Sequence, residues 1–451
     1  MHIIVVGGGL AGLVAGLQAI ELGARVTLLE KGDRLGGSFI YSSGYVWSYK
    51  DLRTFRREAS GGDIVLQRLI LEQLGTSLGW LEDLGVPVLT RKTGNPLTAG
   101  VRLDPKRTVA ALADRIVAYG GRILLGTALA GLTQESGGRI AGVRTASNRE
   151  RSTVGADAVI LASGGFAGNP ELVGRHIIRG PGRMRLRAHP WSTGDGFLAA
   201  LEAGALASAG LDEFYGRNLP APPADFSPEE FVEISQLYGR YAVAINRNGE
   251  RYADEAADWS ETALVRATVR QPELRAWYVV DAAGLRERVR ERTVEEMVAT
   301  AQRAGGTVLR AASLEELAER LSERGVPRAN VLRTLNEYNV AVGGVGELSP
   351  PRSEPAAPLR APPFVVVEVA PAITHTVGGL AVDGSCRVLR QMDGRPLPGL
   401  YAAGVEVGGV SVGGYSSGLA AALVFGGLAA KSAVGDGGAS VQPERRPGAS
   451  A

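Results

Sequence analysis

Three glycines near the start of the chain, Gly7, Gly9 and Gly12, have the spacing of a phosphate cradle. Gly7 permits a tight turn off a strand, Gly9 lets backbone approach a pyrophosphate, and Gly12 lets the next helix pack close to a sheet. Leu10 and Ala11 open that helix, whose free N–H groups and partial positive charge suit phosphates. Glu30 stands 18 residues past Gly12, where a carboxylate can accept hydrogen bonds from ribose hydroxyls. Four further segments offer small-residue backbone to a long flat ligand: Gly36-Gly37-Ser38 with Ser42-Ser43-Gly44, Ser163-Gly164-Gly165, Gly399 to Glu406, and Ser417-Gly418-Leu419. A nicotinamide nucleotide would fit the first unit, and the four further segments favour FAD. The last of them opens an apolar helix whose N-terminus could stabilise negative charge on a reduced ring.

These residues need a βαβ unit to position them, and the first thirty residues read as one. Residues 2–6 form an apolar strand, a helix of small residues runs to about Leu22, and 25–29 form a second strand. Apolar spacing predicts helices over 63–84 and 106–119, and strands near 122–125, 139–145 and 158–162. From residue 206 the texture changes, and helices at 313–323 and 328–340 belong to a second unit. A connector with six prolines spans 343–363, after which a buried-strand texture returns at Phe364. The expected division is 1–205 with 364–434 for the nucleotide domain, 206–363 for an inserted domain, and a disordered tail at 435–451.

Composition narrows the chemistry. A net charge of +2 offers no field to draw nucleic acid or a membrane surface. One cysteine, Cys386, and four histidines, His2, His176, His189 and His375, leave no basis for a disulfide, an iron–sulfur cluster or a metal centre. The apolar runs read as short or glycine-broken, so no membrane span is expected. The start lacks a signal-peptide pattern, and the expected location is cytoplasmic.

Taken in order, the motifs resemble the flavoprotein family of fumarate reductase, urocanate reductase, tricarballylate dehydrogenase and ketosteroid dehydrogenase. Beyond the segments above, the match runs through Glu30-Lys31, Thr193-Gly194-Asp195-Gly196, Asn246 to Tyr252, Tyr338-Asn339, His375-Thr376-Val377-Gly378-Gly379 and Val424-Phe425-Gly426. The resemblance implies an α/β fold: a glutathione-reductase-like FAD-binding Rossmann domain with an inserted, smaller α+β capping domain. It adds Lys31 and Leu129 to the cofactor-binding set. With no histidine near Gly36-Gly37, the FAD is expected to be non-covalent.

The family reaction makes or removes a C=C bond next to a carbonyl or carboxylate. The resemblance assigns His375 to hold that group. The fumarate reductase pattern then breaks. Trp259 stands where a proton-donating arginine follows the acidic pair Asp254-Glu255, Gly413 to Ser417 lacks a substrate-binding arginine, and Asp212 to Arg217 replaces a His-Pro-Thr segment. These losses suggest a substrate less charged than fumarate. Tyr415 is the candidate replacement, donating to a ketone oxygen, and Tyr215 and Arg217 could face the substrate from the cap. Tyr45 and Trp47 could wall the pocket. His189 reads as structural, Asp195 as a helix cap or loop-ordering residue, and Cys386 as inert in a surface hairpin. The expected partner is a small carbonyl or carboxylate substrate, with the electron donor or acceptor open. No second nucleotide fingerprint for NAD(P)H is present. An amine- or imine-oxidising flavoenzyme and a non-catalytic flavin-binding protein stand as alternatives.

Overall fold

The computed structural model describes residues 1–147, 150–178, 184–259 and 261–439. The apolar strand His2–Val6 pairs in parallel with Arg25–Leu29 on one side and Ala158–Leu161 on the other. Arg122–Leu124 extends this sheet at one edge, and Pro396–Ala402 followed by Arg387–Leu389 at the other. The central strands carry apolar side chains on both faces because helices and a second layer cover them. The helices over Ile64–Asp83 and Pro105–Ala118 match the periodicity that predicted them.

Two helices built from small residues cover the nucleotide end of this sheet. The first, Leu10–Glu21, starts directly after the glycine turn. The closing helix, Gly418–Ala439, packs along it. A Cβ on Gly426 would lie 2.7 Å from the Ala11 carbonyl oxygen, so glycine sets how closely the two helices approach. The glycines that look like breaks in an apolar run are therefore a contact face. Over Gly418–Gly437 the helix is long and apolar enough to cross a membrane, with mean hydropathy 1.5, and 61% of it is buried inside the protein. It also corrects the expected tail: residues 435–439 continue the helix, and 440–451 lie outside the described residues.

A second sheet forms around one long strand, Phe364–Thr376. Its first half pairs with Ala276–Val280 and Val308–Ala311. Its second half pairs with Phe214–Pro220 and Arg185–Leu186. This corrects the expected domain boundary at residue 364. The run Phe364 to Val369 is buried on both faces, and a buried strand of that texture reads the same in either sheet. Residues 185–186, expected in the nucleotide domain, also join this sheet. The proline-rich connector is tied down by a buried cluster in which Glu255 accepts from Arg251 at 2.7 Å and Arg352 at 2.8 Å. Arg251 also donates to the Pro350 carbonyl at 2.7 Å.

Candidate active site between the two sheets

A cavity of about 350 Å³ lies where the glycine turns of the first sheet meet the cap sheet. At one end stand Gly7, Gly9, Leu10, Ala11 and Glu30. Gly7 has φ +107°, and a Cβ there would meet the Ala162 carbonyl oxygen at 2.4 Å, so only glycine serves. Gly9 is different. Its backbone is ordinary, at φ −73°, and its Cβ direction is open, with Gly37 Cα the nearest atom at 4.0 Å. No side chain caps the first helix, which leaves its N-terminal amides for a ligand. The Glu30 carboxylate accepts from the amides of Gly8 at 2.8 Å and Gly32 at 2.7 Å, which orients it at the cavity wall. Gly36, Gly37, Ser38 and Ser43 continue the wall, as do Ser163, Gly164, Ser417, Gly418 and Leu419.

The other end is aromatic and cationic. Strand pairing puts Tyr215 directly opposite His375, with a register shift between Tyr215 and Gly216, and Arg217 follows opposite Ala372. The Tyr215 and Tyr415 rings stack at 3.6 Å with 7° between their planes. Trp47 packs edge-on to Tyr415 at 5.5 Å, and the Tyr49 hydroxyl donates to the Tyr415 carbonyl at 2.8 Å. Arg217 lies over the Tyr215 ring at 4.9 Å. Burial pushes the Tyr215 phenol up, but the Arg217 and Arg187 charges and the neighbouring Tyr415 hydroxyl outweigh it and leave it below its ordinary value. Burial and the neighbouring Tyr215 hold Tyr415 well above its own. Two identical groups are thus driven apart, one toward acid and one toward donor.

His375 is neutral here. Its Nδ1 lies 3.1 Å from the Thr376 carbonyl oxygen, which can only accept, so Nδ1 carries the proton. Burial lowers its pKa to about 4, against the Thr376 carbonyl and with help from Arg266. Nε2 is therefore a lone-pair acceptor, buried beside Gly418 and without a partner among the described residues. In this form His375 presents a lone pair, and holding a carbonyl or carboxylate, as the resemblance implies, requires its protonated form, in which Nε2 donates.

These features belong to one family. The chain is a member of the FAD binding domain family, which matches residues 2–423. It is 28% identical to NADH:fumarate oxidoreductase of Klebsiella pneumoniae, over 96% of this chain and 47% of that protein. The chain thus spans about half the length of that relative. It is 26% identical to vinyl phenol reductase of Lactiplantibacillus plantarum, over 89% of each. A 3-ketosteroid Δ1-dehydrogenase from Sterolibacterium denitrificans, solved with 1,4-androstadiene-3,17-dione, shares the fold with TM-score 0.76 at 18% identity, over 96% of this chain and 99% of that one. FAD fits the residues present: the open Gly9 cradle, the uncapped helix and the Glu30 carboxylate stand together at the end of the cavity that would hold its adenosine and phosphates.

Several residues expected to bind the cofactor lie behind the wall of this flavoprotein rather than in it. A Gly12 Cβ would meet the Gly7 carbonyl oxygen at 1.8 Å, so this glycine serves helix packing. Gly44, at φ +77°, turns the chain beneath Leu103. Lys31 pairs with Asp195 at 2.8 Å, and Asp195 also accepts from Thr193, so it orders the loop. Leu129 is a core residue. Glu406 is fully buried, accepts from the Ser163 hydroxyl, and shapes the Ser163-Gly164 turn from behind. Conversely, His189 lines the cavity, with its amide donating to Ser38 Oγ at 2.9 Å. Cys386 is buried rather than on a surface hairpin, and burial pushes its thiol up.

Two cavity residues have no motif to announce them. Arg187 follows the short strand Arg185–Leu186 and donates to Ser235 Oγ at 2.9 Å and Thr374 Oγ1 at 3.1 Å. Among the described residues no carboxylate lies within ion-pair distance of it. Glu261 reaches the wall from the turn before the helix Thr262–Thr268. Trp259 and Arg240 stand beside it, the guanidinium 4.5 Å over the indole.

Proposed function

We propose that this flavoprotein is an oxidoreductase acting on CH–CH bonds, making or reducing a C=C bond next to a carboxylate or carbonyl group. FAD, when bound, supplies the two-electron redox centre. The protein's own residues do the rest. Arg187 and Arg217 bind and orient the carboxylate or carbonyl and stabilise the negative charge that develops on it during proton transfer at the adjacent carbon. Tyr215, its phenol made more acidic by those same charges, gives or takes that proton, and Tyr415 donates a hydrogen bond to its oxygen. Trp47, Tyr45 and the stacked phenols exclude water around them.

The single observation that carries this reading is a stacked tyrosine pair flanked by guanidinium groups, one of them without a carboxylate to neutralise it. An uncompensated guanidinium in a protein interior is costly unless a ligand completes it. The expectation of a less charged substrate rested on arginines missing from two loops. Arg187, just past the strand Arg185–Leu186, and Arg217, on the strand Phe214–Pro220, supply that charge from elsewhere in the chain and favour an anionic substrate. Nothing in the site or among the relatives favours the amine-oxidising or non-catalytic alternatives. Anaerobic mixing tests the reading. Reduced protein should be reoxidised by α,β-unsaturated carboxylates or enones; reoxidation by none of them, with bleaching of the oxidised form by amines instead, refutes it.

A further inference from the structure

Glu261 is placed at a cost in backbone strain. It is a non-glycine residue in the left-handed region, at φ 53° and ψ 21°, a strained conformation for such a side chain. It stands at the N-terminus of the helix Thr262–Thr268 but does not cap it. Asp258 does that work, accepting from the amides of Thr262 at 3.0 Å and Ala263 at 2.8 Å. The Glu261 side chain is buried, it lines the same cavity as Arg187 and Arg217, and its Oε1 has no partner among the described residues.

The charged and titratable groups around it come from every neighbouring element. Arg217 lines the same cavity from the strand Phe214–Pro220, and its charge acts on the carboxylate. Asp258 approaches from the preceding turn, and the backbone at Gly239 and Arg240 from the turn below. The phenols of Tyr238 and Tyr278 lie on the buried side. Arg240, whose guanidinium lies over the Trp259 indole, also stands beside Glu261. Arg217 is the cation whose charge draws most on the carboxylate, and it is also one of the two guanidiniums offered to the substrate.

We infer that Glu261 gates anion binding in the cavity: when neutral it leaves the Arg217 guanidinium to a substrate carboxylate, and when ionised it takes that guanidinium for itself. The inference rests on the anionic substrate reading above. It makes Glu261 a specificity-determining residue that acts through Arg217. Burial, opposed by Arg217 and reinforced by Asp258, pushes the carboxyl up to about 7, so the gate operates across neutral pH.

The experiment is a titration of the oxidised, FAD-loaded protein with cinnamate, read from the flavin absorbance between pH 5.5 and 8.5, with calorimetry at pH 8 in two buffers. If only the neutral-Glu261 form binds, the apparent Kd rises by up to ~30-fold over that range, and binding at pH 8 takes up close to one proton. Glu261→Gln should bind with the low-pH affinity at every pH and take up no proton. Glu261→Asp, which keeps a titrating carboxylate, should keep a pH-dependent Kd. A wild-type Kd that is flat with pH, or a Glu261→Gln slope equal to wild type, overturns the gate while leaving anion binding in place. If Glu261→Gln does not load FAD, the proton count of the wild type decides, and a value near zero overturns the gate. Absence of cinnamate binding at every pH removes the anionic-substrate reading and the gate together.

Discussion

Substituting Gly9 and Gly12 by alanine should separate two roles that the glycine motif combines. At Gly9 the added methyl enters open cavity, with nothing nearer than Gly37 Cα at 4.0 Å, and the backbone at φ −73° suits any residue. The apo protein should therefore lose only the small helix-cap difference between glycine and alanine, under about 1 kcal/mol. The same methyl occupies the phosphate cradle. Displacing one or two charge-assisted amide–phosphate hydrogen bonds, at about 1.5–3 kcal/mol each, weakens FAD by roughly 100-fold. With FAD at about 100 times the wild-type Kd, binding adds about 2.7 kcal/mol to wild type and about 0.4 kcal/mol to the variant. At Gly12 the methyl would meet the Gly7 carbonyl oxygen at 1.8 Å. Overpacking there should cost the apo protein about 1–3 kcal/mol or more before any cofactor is added. Urea unfolding of apo and FAD-loaded protein, with FAD affinity from fluorescence quenching, reads all of these quantities. Wild-type FAD affinity in Gly9→Ala, or wild-type apo stability in Gly12→Ala, would refute the reasoning.

Arg187→Met should weaken carboxylate binding by roughly 10- to 100-fold, measured by flavin titration, while urea unfolding shows equal or slightly higher stability because an uncompensated charge is gone. Tyr215→Phe should keep FAD content and lower the rate of the proton-coupled step by roughly 100-fold or more in stopped flow, and an unchanged rate removes Tyr215 from the proposed role. His375 has a folded pKa of about 4, below its ordinary 6.5, so the unfolded chain binds more protons between those values. Its contribution is complete above pH 6.5 and is lost as pH falls toward 4, by up to about 3 kcal/mol. Unfolding of His375→Asn at pH 4.5 and 7 should show a smaller difference than wild type.

The phosphate cradle and its sheet were legible in the sequence because their physics is local. A turn that needs φ +107° at Gly7, a helix that follows within three residues, and an apolar strand on either side leave marks a few residues apart. The stacking partners Tyr215 and Tyr415 were named from order and resemblance, yet their 3.6 Å contact joins a cap strand to the loop before the closing helix. Register between distant strands decided the rest. Pairing of Phe214–Pro220 with the second half of Phe364–Thr376 set Tyr215 against His375, and the neighbouring strand brought Arg187 to the cavity. Arg187 and Glu261 carry no motif, because an arginine after a two-residue strand and a glutamate in a left-handed turn look like surface residues until their neighbours are known. Periodicity reports which faces of a segment are buried, and it is silent on which sheet buries them. The chain by itself therefore determined the cofactor end, where backbone geometry does the binding, and tertiary pairing decided the charge and acidity of the reacting end, where burial beside distant side chains sets both.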